Sequence, residues 1–300
     1  MPAPADPTVP WRGLLAETRN RLSDLGSPNP DLDARRMVEE ASGFTPAELV
    51  VSLDTPATGR AVAHLDAMVA RRGAGEPLQY VLGSWGFRTL DLMVDRRVLI
   101  PRPETEGVVE VALVELDRLR GSSPERRVVV VDLGTGSGAM ALSIAAERSR
   151  VEVWATDIST PALDVARANL AALGRRGTAV RIEQGSWFEA LPPALAGTVD
   201  LIVSNPPYVA ASDPLPPEVE DFEPRGALVA GPAGTEDLRH LVEVAPRWLR
   251  RPGALVVELA PHQAGELETL AGAVGFHEAR VHPDLSGRPR ALVARLELSS

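Results

Sequence analysis

The sequence predicts an α/β fold: a parallel sheet covered on both faces by helices, preceded by a small bundle of short helices. Three observations predict it. From Arg127 onward short apolar runs alternate with helical stretches, the pattern of strands joined by crossover helices. Before Arg72 apolar residues instead recur at spacings of three and four, which only helices put on one face. The chain has 300 residues, 44% of them hydrophobic, enough for a large core and more readily two domains than one.

Taken in order, Trp11, Leu14, Leu15, Thr18 and Leu22 mark a first helix. "PDLDARRMVEEAS" and "RAVAHLDAMVARR" repeat its spacing between breaks at Pro and Gly, so residues 1–75 are expected to form a helical domain. "LQYVLGSWGFRTLDLMVDRRVLI", Leu78 to Ile100, alternates like strands around Gly83 and Gly86 and predicts a hairpin-like connector over residues 76–103. The main domain, residues 104–300, opens with a helix from "PRPETE" to Arg120. "RVVVVDLG", "VEVWATD", "AVRIEQG" and "VDLIVSN" then read as its first four strands. "ALVVELA" and "ALVARLEL" continue the alternation to the end, and the chain shows no internal repeat.

Composition excludes several chemistries. The absence of cysteine rules out disulfides, thiolate metal sites and thiol nucleophiles. All 31 basic side chains are arginine, so neither a Schiff base nor a phosphate-loop lysine is available. The five histidines lack metal or catalytic spacing, and no metal site is expected. A net charge of -10 opposes a phosphate backbone as partner. "MPAPADPTVPW" offers neither the basic flank nor the apolar core of a signal peptide, and no run reaches membrane-spanning length. A cytoplasmic protein without membrane or direct nucleic-acid partners is therefore expected.

Four strand ends carry the candidate chemistry. After the first strand, "DLGTGSGAM" supplies Gly134, Thr135, Gly136, Ser137 and Gly138, a loop whose glycines permit a sharp turn and close approach to a ligand. Asp157 ends the second strand nineteen residues after Gly138, where an acid typically holds ribose hydroxyls. These residues indicate a nucleoside cofactor but leave a nicotinamide dinucleotide open. After the third strand, Trp187 and Phe188 offer an apolar slot for a purine. After the fourth, "DLIVSNPPYV" runs into Asn205, Pro206, Pro207 and Tyr208. Prolines have no N–H but keep their carbonyls, so this corner can present the Asn205 amide oxygen and a backbone carbonyl as paired acceptors for an NH2 group. A Pro-rich turn that merely closes a strand is the plain alternative.

In this order the four features resemble the class I S-adenosylmethionine-dependent methyltransferases that act on amide or exocyclic amine nitrogens. Within that group "PLQYVLG", "LIPRPETE", "DLGTGSGA", "SNPPYV", "FEPRGALVAG" and "GRPR" resemble the protein-(glutamine) methyltransferases that modify peptide-chain release factors, over nearly the whole chain. The resemblance implies a Rossmann-like seven-stranded class I methyltransferase sheet with its last strand antiparallel, behind an N-terminal helical domain that recognises substrate. It implies S-adenosyl-L-methionine as cofactor, S-adenosyl-L-homocysteine as product, and methylation at the side-chain N5 of the glutamine in the release factors' Gly-Gly-Gln loop. Gly134 to Gly138 would hold the methionine part, Asp157 the ribose, and Trp187 would lie against adenine. Asn205 would border the cofactor and bind the target amide, with Pro206, Pro207 and Tyr208 completing the glutamine pocket. Ser186 stands where many relatives have an acid, and its hydroxyl is the expected adenine contact. The rival substrates are a ribosomal-protein glutamine and adenine in DNA. The first hundred residues, with 11 Arg against 13 Asp plus Glu, oppose DNA. A non-catalytic cofactor-binding module is the rival outside enzymology.

Overall fold

The computed structural model describes residues 9–121 and 125–297. The opening segment read above for a signal peptide lies largely outside them, at residues 1–8. The chain divides between Ser84 and Trp85 into two compact units.

The first unit is helical: α1 (Trp11–Asp24), α2 (Pro30–Ser42), α3 (Pro46–Ser52), α4 (Gly59–Gly73) and α5 (Leu78–Leu82). Its core follows the predicted spacing, with Trp11, Leu14, Thr18 and Leu22 of α1 buried with Met37 and Val38 of α2 and Leu65, Met68 and Val69 of α4. Thr45 starts α3 with a capping box, its side chain accepting from the Glu48 N–H while Glu48 accepts from the Thr45 N–H. The stretch read as strands from Leu78 instead begins with α5. Pro77 presets the backbone before it, and Gly83, at φ 80°, ends it by donating its N–H to the Gln79 carbonyl. β1 (Ser84–Phe87) and β2 (Leu90–Met93) then form the hairpin. No separate connector body spans residues 76–103: α5 packs on α2 and α4, whereas Phe87 and Leu92 enter the core of the second unit.

That unit is built on α6 (Pro103–Arg120), β3 (Val128–Leu133), α7 (Ala139–Glu147), β4 (Val151–Asp157), α8 (Thr160–Ala172), β5 (Val180–Gln184) and β6 (Val199–Ser204). The chain continues through β7 (Val209–Ala210), α9 (Pro217–Phe222), β8 (Val229–Gly231), α10 (Glu236–Val244), β9 (Leu249–Glu258), α11 (Ala264–Ala273), β10 (Glu278–Pro283) and β11 (Pro289–Leu296). The seven-stranded sheet has the order β10-β11-β9-β6-β3-β4-β5, and β11 alone runs opposite to the other six strands. β7 and β8 form a small sheet of their own.

Alternation along β3 feeds two cores. Val128 and Val130 face Val109, Leu113 and Ile144 on one side, while Val131 and Leu133 face Leu238, Leu241 and Leu267 on the other. Among the described residues no helix is long and apolar enough to cross a membrane, and no cluster of side chains could hold a metal ion.

Asp200 locks the entry of β6. Fully buried, its carboxylate accepts from the Val129 N–H at 2.8 Å, from the Arg126 guanidinium, and from Arg250 at 3.3 Å. Asp200→Ala strands the Val129 donor between two sheet strands. It is expected to cost about 1.5–3 kcal/mol, read as a lower urea midpoint at unchanged slope.

Candidate active site

Strand order turns at β3. The first strand of the alternating series lies beside the fourth, β6, and Asp132 is level with Val203. The loop after Leu133 and the corner after Ser204 therefore leave the sheet together, and the Ser204 hydroxyl donates to the Leu133 carbonyl at 2.6 Å to hold the two ends level. This is the crevice in which open α/β sheets bind ligands.

On the β3 side the glycines serve shape. Gly134 has φ 73°, and a Cβ there would lie 3.3 Å from the Trp187 ring. Gly138 has φ 87° as the residue before α7, and a Cβ would lie 2.9 Å from Leu142. The loop amides are largely spent internally. Gly134 and Thr135 donate to the Thr156 carbonyl at 2.9 and 2.8 Å, Gly136 to Asp157 at 2.9 Å, and Gly138 to the Thr135 carbonyl at 2.8 Å. What faces the crevice is thus less an open nest of N–H groups than a floor of acids.

Two carboxylates make that floor. Asp132, 1% exposed, accepts from the Thr135 hydroxyl at 2.7 Å and the Ala141 N–H at 3.1 Å through Oδ2. Its Oδ1 is buried with no partner among the described residues. Burial pushes this carboxyl up to about 6 against the pull of those hydrogen bonds. Asp157 accepts from the Ser159 and Gly136 N–H groups at 2.8 and 2.9 Å, yet burial still raises it.

On the β6 side, Asn205 donates from Nδ2 to the Thr105 hydroxyl at 3.2 Å, and that hydroxyl donates to Glu258 at 2.7 Å. Tyr208 turns away to donate its hydroxyl to the other oxygen of Glu258 at 3.1 Å, while its carbonyl accepts from Gln263 at 3.0 Å. Burial, then the charge of Glu258, holds the Tyr208 hydroxyl well above its usual range. Glu258 is itself raised by burial, opposed by Thr105, Arg290 and Tyr208.

Both sides open on one cavity of about 510 Å³, with Gly134, Asp157, Trp187, Asn205 and Pro207 in its wall. Its outer wall joins two further stretches. Glu223 accepts from the Ile100 N–H at 3.1 Å and pairs with Arg102, tying "LIPRPETE" to "FEPRG" so that Leu99, Pro101, Pro224 and Gly226 line the cavity together. Trp187 sits at φ 46°, a left-handed conformation unusual for a bulky residue, with its ring edge over Gly134 and Asp237 in the same cavity wall.

Comparison with known proteins decides the family. A model described as the PrmC N-terminal domain matches residues 13–83, and one described as the methyltransferase small domain matches residues 116–217. The release factor glutamine methyltransferase of Rhodopirellula baltica is 39% identical over 291 residues, 95% of this chain and 96% of that protein. That of Xylella fastidiosa is 42% identical over 265 residues, 88% of this chain and 92% of that protein. The chain belongs to the release factor glutamine methyltransferase family. A methyltransferase from Pyrococcus furiosus shares the fold at a TM-score of 0.50 and 17% identity, over 78% of this chain and 98% of that one.

For a member of this family the site residues expected from the sequence fall into two sets. Gly134, Thr135, Gly136, Ser137, Asp157, Ser186, Trp187, Asn205 and Pro207 all line the cavity. Gly138, Pro206 and Tyr208 do not: Gly138 packs behind the loop against Leu142, Pro206 is buried, and the Tyr208 hydroxyl is held by Glu258. Sequence reading missed Asp132, Thr105, Asp237 and Glu258. Asp132 and Glu258 carried a signal, each an acid near the end of an otherwise apolar strand run, where an ionisable group demands a reason. Thr105 and Asp237 carried none, since each looks like an ordinary residue in the first turn of a helix.

The raised Asp132 carboxyl makes stability depend on pH with a definite sign. Its folded value of about 6 exceeds the unfolded one of about 4, so its contribution is complete below the latter and is lost as pH rises through the former. Asp132→Asn removes that loss. The variant should gain on the wild type between about pH 4 and pH 7, by on the order of 2–3 kcal/mol, in urea titrations at each pH. A difference independent of pH would contradict the raised value.

Proposed function

We propose that the protein transfers a methyl group from S-adenosyl-L-methionine to the side-chain N5 of the glutamine in the Gly-Gly-Gln loop of class 1 peptide-chain release factors. One observation carries this reading: Asn205 and Pro207, at the corner after β6, line the same cavity as the acid-floored glycine loop. The near full-length relatives named for release factor glutamine methylation support the substrate class.

The residues present fit that cofactor. The partnerless Oδ1 of Asp132 is an acceptor for an ammonium group, Asp157 for ribose hydroxyls, and the half-buried Trp187 with the exposed Ile158 provides apolar surface for a purine. Ser186 lines the same end with a hydroxyl. A pyrophosphate would instead meet two carboxylates and few free loop amides, which argues against a nicotinamide dinucleotide. When bound, S-adenosylmethionine supplies a methyl group activated by a sulfonium centre.

A glutamine amide nitrogen is a weak nucleophile because its lone pair is delocalised into the carbonyl. Asn205 Oδ1 accepts one of its hydrogens, which turns the nitrogen toward the cofactor end of the cavity and stabilises positive charge developing on it. Orientation of two bound reactants contributes up to about 7–11 kcal/mol, against about 0.5–1.5 for one neutral hydrogen bond, so positioning dominates. No histidine lines the cavity, and the proton that the nitrogen gives up on methylation is left to water. The helical unit, matched by the N-terminal family model, is assigned to recognition of the protein substrate.

The test is a purified class 1 release factor incubated with the protein and S-adenosylmethionine, beside variants with alanine or glutamate for the Gly-Gly-Gln glutamine. Mass spectrometry should find one added methyl on the wild-type factor and none on either variant. Methylation that survives both changes overturns the substrate. Asn205→Ala should lower turnover by about a hundredfold while melting close to wild type. Asp157→Ala should weaken S-adenosylhomocysteine about tenfold to a hundredfold in calorimetry, the worth of a charge-assisted hydrogen bond.

A further inference from the structure

An amide at the reacting corner can face the cavity in two ways, and they have opposite chemistry. With Oδ1 inward Asn205 accepts from a substrate NH2; with Nδ2 inward it meets that NH2 donor to donor. The side chain's shape does not choose, because the two orientations are nearly isosteric. The choice is made by what lies against the amide.

Against it, in the wall of the same cavity, stands Thr105, in the first turn of α6 and 3% exposed. A threonine hydroxyl owns one hydrogen, and here it is directed to Glu258 at 2.7 Å. Glu258, 1% exposed, also takes the Tyr208 hydroxyl hydrogen on its other oxygen, so as a carboxylate it accepts on both sides and donates on neither. The remaining face of the Thr105 oxygen can then only accept, and of the two ends of Asn205 only Nδ2 can give to it, at 3.2 Å. Turning the amide would set Oδ1 against lone pairs and leave a half-buried pair unsatisfied.

Strand register supplies the geometry. Val203 pairs with Val256 and Ser204 with Val257, so Asn205 and Glu258 are the next residues on adjacent parallel strands. We propose that Glu258, through Thr105, is a positioning residue that fixes the polarity of the Asn205 amide, holding its oxygen toward the substrate. Arg290 and Glu104 are the other charged groups acting on Glu258, with opposite signs. The inference rests on the reading that Asn205 receives the glutamine amide.

Glu258→Gln is the decisive variant because it keeps size and shape while giving the buried group hydrogens to donate. The glutamine can then donate to Thr105, whose own hydrogen is released toward Asn205, and the amide loses its imposed direction. The full-length variant should melt at or above the wild-type temperature, since a buried charge has been removed, and should bind S-adenosylhomocysteine within about threefold of wild type. Its kcat on a release factor should fall by about a hundredfold, the scale of a misaligned reacting group. Thr105→Val should lose kcat similarly, whereas Thr105→Ser, which restores the hydroxyl, should recover most of it. A purely packing role for Glu258 and Thr105 predicts the reverse: lower melting temperature with kcat retained.

A substrate-free readout separates this inference from the substrate reading. In ¹⁵N-edited spectra of the full chain, the Asn205 NH2 pair, assigned by its loss in Asn205→Ala, should show one hydrogen shifted downfield by its bond to Thr105. That shift should collapse in Glu258→Gln and Thr105→Val. If the wild type fails to methylate a release factor but the amide pair responds in this way, the substrate reading falls and the relay stands. If the pair and kcat are both unchanged in Glu258→Gln, or Thr105→Ser is no better than Thr105→Val, the relay is overturned.

Discussion

Strands β3 and β6 run side by side with their carboxyl ends level, and the chemistry of this protein depends on that adjacency. One end carries the glycine loop and the other the Asn205 corner, and the chain between them spends two strands and two helices on the far side of the sheet. Parallel pairing aligns every carboxyl end on one edge, so loops distant in sequence converge there without special contacts. The Ser204 hydroxyl on the Leu133 carbonyl pins the two ends, and the neighbouring β9 adds Glu258 in the next register position.

Charge is distributed by the same geometry. Away from the cavity, buried acids have arginine partners: Asp200 has Arg126 and Arg250, and Glu115 has Arg118 and Arg295. Around the cavity, Asp132, Asp157, Asp237 and Glu258 form no ion pair among the described residues, and burial pushes all four upward. Buried acids held without cations are poised to accept from hydroxyl, ammonium or amide donors and are inhospitable to phosphate. This contrast separates the acids paired within the fold from those set in or just behind the cavity wall, a distinction composition and net charge do not make.

Much of the fold was legible in local pattern. Helical spacing at Trp11, Leu14, Thr18 and Leu22, and the apolar run of "RVVVVDLG", state which face or strand is buried because burial on one face or both imposes its own period. The reading failed at Leu78–Leu82, a short apolar run compatible with either element, where Pro77 and Gly83 are start and stop signals for a single helical turn. Gly134, Gly136, Asp157, Trp187 and Asn205, which line the cavity, stood out in the sequence because each is a residue type that a strand end does not otherwise need. Tyr208 was placed in the pocket by proximity in sequence, whereas its hydroxyl goes to Glu258, fifty residues away.

The alternation of strands and helices and the residues at each strand end are written in the chain, because these depend on interactions within a few residues or on patterns of burial. Only the tertiary structure decided which ends meet, that the loop amides turn inward onto Thr156 and Asp157, and that Asp132 keeps an oxygen free. It also decided the direction of the Asn205 amide, through Thr105 one hundred residues before it and Glu258 on the neighbouring strand. A hydrogen bond's direction depends on which partner already holds the hydrogen, and the partners here come from three elements that only folding brings together.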